Sequence, residues 1–225
     1  MRYREPTYFN GKKRIKLIVF CVICVIFLCF FVILQIFISI FSLRTKYLPT
    51  TSFFCVALDS IPDETEIKSY VSRGAGAVVY QSKLVLTAFC EEAQAKSVSE
   101  SLTEQTCVIK IATPKVAIDH LTDEQITQAK LIYTQITDCI KLLCDQTIAL
   151  DKKELSEQNF RIWLGEQALT LASLTTHSTP LHSFLLHTIS SLHYLNSSTT
   201  YTDNLTPYIS VVRSVTLNLL FSSNT

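Results

Sequence analysis

Apolar residues follow three different rhythms along the chain, and each rhythm predicts a different kind of element. Residues 17–43, LIVFCVICVIFLCFFVILQIFISIFSL, form an unbroken run without a charged side chain. As a helix this run would extend about 40 Å, more than the roughly 30 Å hydrocarbon core of a bilayer, so it predicts a transmembrane helix. It is longer than the apolar region of a signal peptide and leads into Phe41-Ser42-Leu43-Arg44 without an Ala-x-Ala cleavage pattern. Arg2, Arg4, Lys12, Lys13, Arg14 and Lys16 precede it, whereas only Arg44 and Lys46 are basic just after it. The positive-inside rule then makes residues 1–16 a cytoplasmic basic tail and puts the C-terminal domains on the extracytoplasmic side. The expectation is a single-pass protein of the cell membrane, with the lipid bilayer as a partner.

From residue 52 to 113 the rhythm shortens to that of strands, interrupted by two helical stretches. Ser52–Leu58 (SFFCVAL) reads as a strand, and Pro62–Val71 as a helix with Pro62 at its first position. Arg73-Gly74-Ala75-Gly76 ends that helix. Ala77–Tyr80 and Leu84–Phe89 read as two strands joined by Gln81-Ser82-Lys83, a tight antiparallel connection. Glu91–Leu102 places Ala95, Val98 and Leu102 on one helix stripe, and Cys107–Ala112 closes the region as a strand. The order strand, helix, strand, strand, helix, strand is that of a split βαβ unit.

After Pro114 the period becomes 3.6. Thr122 with Gln125 fits a capping box, with Leu121 and Ile126 as a hydrophobic staple, and Ala129, Ile132, Ile136, Ile140 and Leu143 continue the stripe to about Leu150. Asp151 with Glu154 repeats the start signal for a second helix to about Ser173. Thr179-Pro180 starts a third helix to about Tyr194, and Thr206-Pro207 a fourth to about Phe221. Residues 119–222 are therefore expected as a four-helix, antiparallel C-terminal region, which packs on itself or self-associates through its apolar stripes.

Composition narrows the chemistry. The 225 residues carry a formal net charge of +1, and beyond the basic tail acids outnumber bases, so no nucleic-acid partner is expected. His177, His182, His187 and His193 do not recur on one helical face, and no Cys-x-x-Cys pair lies outside the apolar run; no metal site is expected. Gly74-Ala75-Gly76 lacks the context of a phosphate loop, Glu91 and Glu92 diverge on a helix, and no catalytic or cofactor-binding group stands out. The chain is expected not to be an enzyme and to need no cofactor. Five cysteines lie beyond the apolar run; Cys55, Cys90 and Cys107 sit in strand-like runs, where neighbouring strands could bring a pair together.

The element order and the phrases SFFCVALDS, RGAGAVVYQSKLVLTAFCEEAQAKSVSESL and CVIKIA resemble a diverged sporulation-related repeat, the SPOR domain family, over residues 52–113. The resemblance implies an α+β fold with a four-stranded antiparallel sheet backed by helices. It further implies binding of peptidoglycan glycan on the exposed sheet surface, through Phe54, Tyr80, Gln81, Lys83, Thr87 and Phe89. Where the family usually has Gly-Ser or Gly-Pro-Phe after its strands, this chain has Leu58-Asp59-Ser60 and Ala88-Phe89-Cys90-Glu91. Two functional expectations follow. One is a single-pass envelope protein that binds peptidoglycan glycan or serves in a division or sporulation assembly. The other is a protein–protein interaction scaffold, partnered by an envelope protein or a second copy, whose SPOR-like fold does not bind glycan.

Overall fold

The computed structural model describes residues 22–36, 46–102, 105–174, 181–198 and 204–221. Residues 22–36 form helix α1 in a unit separate from residues 47–225. Among the described residues no helix is long and apolar enough to cross a membrane. That finding overturns the expected transmembrane helix over 17–43 in the fold. The single-pass cell-membrane localisation and the cytoplasmic and extracytoplasmic sides derived from that helix fall with it. The basic tail 1–16 and the flanks 17–21 and 37–43 lie outside the described residues.

Residues 47–225 are α+β. Strand β1 (Ser52–Leu58) is followed by α2 (Glu64–Ser72), β2 (Val78–Tyr80), β3 (Lys83–Phe89), α3 (Glu92–Ser101) and β4 (Thr106–Ala112). The sheet order is β2-β3-β1-β4 with every neighbouring pair antiparallel, so each crossover helix spans one intervening strand. Asp63 caps α2 by accepting from the Glu66 N–H at 2.9 Å, which puts Pro62 just outside the helix rather than at its first position. The connection between β2 and β3 is shorter than expected. Lys83 already pairs with Tyr80, and Gln81 (φ 47°) and Ser82 (φ 62°) make a two-residue turn with both backbones left-handed. Between Val56 and Ala57 the register against β3 shifts, leaving Leu86 as an extra residue in a β-bulge.

Four helices complete the unit: α4 (Asp123–Asp151), α5 (Glu157–Ala172), α6 (His182–Ser197) and α7 (Thr206–Phe221). The α4 capping box is formed, with Thr122 N–H donating to Gln125 Oε1 and Gln125 N–H to Thr122 Oγ1. The start of α5 is corrected. The chain stays helical through Asp151, Lys153 turns left-handed (φ 61°), and Ser156 caps the new helix by accepting from the Asn159 N–H. Residues 175–180, where the third helix was expected to begin, are outside the described residues. Arg161 ties α5 to α6, donating from Nη1 to the carbonyls of Leu195 (3.2 Å) and Asn196 (2.7 Å) at the α6 C-terminus, where a cation offsets the helix dipole.

The sheet is covered on both faces. Phe53, Cys55, Ala57, Val85, Ala88 and Ile111 join one core with Ile132, Ile136 and Ile140 of α4 and Leu217 and Leu220 of α7. The alternate positions Val56, Leu58, Leu84, Leu86 and Phe89 face α2 and α3. One face of the sheet therefore shares a hydrophobic core with the helical region, and the other packs separately on α2 and α3.

Candidate functional site

The face beneath α2 and α3 does not close into one cluster. Tyr70 of α2 packs with Leu58, Leu84 and Leu86, whereas Ala95 of α3 packs with Val56 and Phe89, and Leu102 touches both groups. Between them lies a cleft of about 320 Å³. Val56, Leu86, Thr87 and Phe89 supply sheet residues to its lining, Tyr70, Arg73 and Ala75 come from α2 and the segment after it, and Val98 and Leu102 from α3 and its cap. Ile148, Asp151 and Lys152 of the α4 C-terminus and Arg213 of α7 complete it.

The position of Arg213 follows from one polar stripe on α7. Ser210 Oγ donates to the Ala75 carbonyl at 2.5 Å, Arg213 Nη1 to the Gly74 carbonyl at 2.7 Å, and Ser214 Oγ accepts from the Ala77 N–H at 3.2 Å. Positions i, i+3 and i+4 share a helix face, so a single face of α7 reads the backbone of residues 74–77. Gly74 gives that segment its left-handed turn at φ 89°, and Arg213 Nη2 also pairs with Asp151 Oδ2 at 2.7 Å. The Arg213 Nε is buried without a hydrogen-bond partner. A hollow of about 10 Å³ bounded by Thr87, Thr147, Thr216 and Arg213 lies alongside. That is about the room one water needs.

The six residues expected to meet a glycan are dispersed. Phe89 is buried and, with Thr87, lines the cleft. Phe54 is half-buried beside the α3 cluster, with Lys110 Nζ 5.9 Å from its ring centroid. Tyr80 stacks on Phe221 of α7 at 4.4 Å. Gln81 is exposed in the turn and donates to the Tyr80 hydroxyl at 3.3 Å. Lys83 is held by Asp59 at 2.7 Å and lies 3.4 Å from the Cys107 sulfur. The hydrogen bond from Lys83 holds the Asp59 carboxyl below its ordinary pKa, so Lys83 is committed to an ion pair. The expected exposed sheet surface is instead filled by α4 and α7. Tyr70, Arg73, Ile148, Asp151, Lys152 and Arg213 were not singled out as site residues from the sequence. In the sequence Val98 and Leu102 mark only a packing stripe, and their incomplete burial is what distinguishes them.

Among the described residues no group of three His, Cys, Asp or Glu side chains is placed to hold a metal ion. The thiols differ sharply. Burial pushes Cys55 and Cys139 up to about 12. Cys90 is lowered, first by a hydrogen bond from the Cys144 thiol, while that same bond and then burial raise Cys144. Thiolate is the reactive form, so iodoacetamide is expected to alkylate half-buried Cys90 before Cys55, Cys139 and Cys144. Time-resolved peptide mass spectrometry checks this, and equal rates at the four sites would contradict the assignment.

Compared with known proteins, the chain matches no family model, no curated protein and no solved structure.

Proposed function

We propose that this chain is a binding module that takes a compact, largely apolar group into the cleft between α2 and α3. The observation that carries this reading is the cleft itself, about 320 Å³ with Val56, Leu86, Phe89, Val98, Leu102 and Ile148 in its lining. That volume lies at the small end of ligand pockets, which are typically about 300–1,000 Å³, mostly apolar, and fitted with a few polar groups that orient the ligand. Burial of an apolar group there yields about 25 cal/mol per Å² removed from water. Thr87 and the charged residues at one end supply orientation. Asp151 is engaged by Arg213, so the lining offers recognition chemistry and no free acid–base pair. A glycan site spread over the sheet is not what this geometry favours, because side chains of α4 and α7 occupy that surface.

The test is a fluorescence titration of the full chain with the neutral probe N-phenyl-1-naphthylamine. Val98→Trp places a large ring in the cleft from a half-buried position on α3. The variant is expected to bind the probe at least tenfold more weakly while its circular dichroism stays unchanged. Unchanged affinity in a folded Val98→Trp protein would overturn the reading.

A further inference from the structure

Two thiols meet where the end of β3 abuts α4. Across the sheet Cys55 faces Ala88 and Ile109, and Cys107 faces Ala57, so the pairing of neighbouring strands joins no two cysteines. Cys90, just past the end of β3, turns onto the helix instead. Its S–H donates to the Lys141 carbonyl at 3.5 Å, and Cys144 stands one turn further along the same face of α4. Cys144 also borders the small hollow beside Thr87 and Ala88, in the stretch of β3 that leads to Cys90. The Cys144 thiol donates to the Cys90 sulfur. Access separates the pair, because Cys144 is sealed in the core at 3% exposure whereas Cys90 is half-buried at its edge.

From this juxtaposition we infer that Cys90 and Cys144 form a peroxide-oxidisable thiol pair, Cys90 taking the first oxidation and Cys144 resolving it as a disulfide between the end of β3 and α4. The bond from Cys144 and the Lys141 ammonium favour the Cys90 thiolate, and together they outweigh burial and the Asp145 carboxylate, which oppose it. In the first step the Cys90 thiolate attacks one oxygen of hydrogen peroxide. An S–O bond forms, the O–O bond breaks, and the departing hydroxide takes a proton to become water, leaving a sulfenic acid. In the second step the Cys144 sulfur attacks the Cys90 sulfur. The S–S bond forms as the S–O bond breaks, and the Cys144 proton leaves with the hydroxide as a second water. The two thiols thereby give two electrons to the peroxide. The burial that makes Cys144 unreactive toward solvent suits it to this role, since its only accessible electrophile is the neighbouring Cys90 sulfur. The inference does not depend on what the cleft holds.

The test is peroxide treatment of the reduced full chain, followed by blocking of free thiols with N-ethylmaleimide and peptide mass spectrometry without reduction. Trypsin places Cys90 in the peptide 84–96 and Cys144 in 142–152, each with no other cysteine. The expected product is these two peptides joined, lighter than their sum by two hydrogens and separated again by dithiothreitol. With dimedone present during oxidation, Cys144→Ala should raise labelling of Cys90 several-fold over the parent, because the sulfenic acid then has no resolving thiol. Cys90→Ala should leave Cys144 reduced. The parent alone keeps the proposal falsifiable whether or not the variants fold. A disulfide from Cys90 to any other cysteine, including Cys90 of a second copy, would overturn it. So would recovery of Cys90 as the free thiol or as a sulfinic acid without the joined peptide.

Discussion

Replacing Phe53 by alanine is expected to cost about 3–5 kcal/mol of stability, and replacing it by aspartate to prevent folding. Phe53 is fully buried at the start of β1 and pairs across the sheet with Ile111, which is also buried. Its ring belongs to the core shared with α4 and α7, so alanine loses the transfer energy of the ring and leaves a cavity between rigid layers. An aspartate there would carry an unpaired charge into an apolar interior. The measurement is urea unfolding followed by circular dichroism, with the midpoint read at constant slope. The same experiment addresses function. On a sheet surface open to a glycan, Phe53 would meet water and Phe53→Asp would be tolerated. A folded Phe53→Asp protein with an unchanged midpoint would mean that the helical layer does not cover this face.

That covering was legible, in one respect, from β1 alone. Ser52–Leu58 was bounded correctly because its β-favouring residues stop at the polar turn, and its unbroken apolar run signals burial on both faces. Expecting one open face set that signal aside. The α7 boundaries, Thr206–Phe221, followed equally well from Thr206-Pro207, since proline suits the first helical turn. The α5 start failed for a physical reason. Asp151-x-x-Glu154 and Ser156-x-x-Asn159 are competing start signals, and Leu150, fully buried in the shared core, keeps α4 helical past the first of them. Glu154 N–H then bonds to the Ala149 carbonyl at 2.8 Å, closing the turn ahead of the Ser156 cap.

The cleft was illegible for a different reason. Its lining comes from two strands, four helices and their flanks, and its charged end exists only because the C-termini of α2 and α4 meet the polar face of α7. In the sequence Arg213 merely interrupts the apolar run of residues 209–220. Its partners, the Gly74 carbonyl and Asp151, are far away in the chain and carry no local signature. Residues 74–77 did announce a helix end, but nothing in Gly74-Ala75-Gly76 specifies that a helix more than a hundred residues later will dock on its backbone.

That docking makes the same substitution act with opposite sign at two glycines. Gly76→Ala is expected to lose about 1–3 kcal/mol, as overpacking does in a close-packed region. A Cβ at this position would stand 3.0 Å from the Leu86 carbonyl oxygen, 3.2 Å from the Arg213 carbonyl carbon and 3.0 Å from Leu217 Cδ1. The leucine tip can turn aside, but the other two atoms are backbone, and Gly76 N–H is itself held to that Leu86 oxygen at 2.7 Å. Relief therefore requires α7 to move away from β3, which also withdraws Arg213 from the Gly74 carbonyl and alters the charged end of the cleft. Gly165 lies within α5, and a Cβ there meets only Asn196 Nδ2 at 3.6 Å, an ordinary contact. With no steric cost, Gly165→Ala gains the helix propensity of alanine, about 0.5–1 kcal/mol. Urea midpoints of the two variants should thus move in opposite directions. Parallel shifts, or a Gly76→Ala protein as stable as the parent, would show that α7 does not approach the Gly74–Ala77 backbone as closely as these distances require.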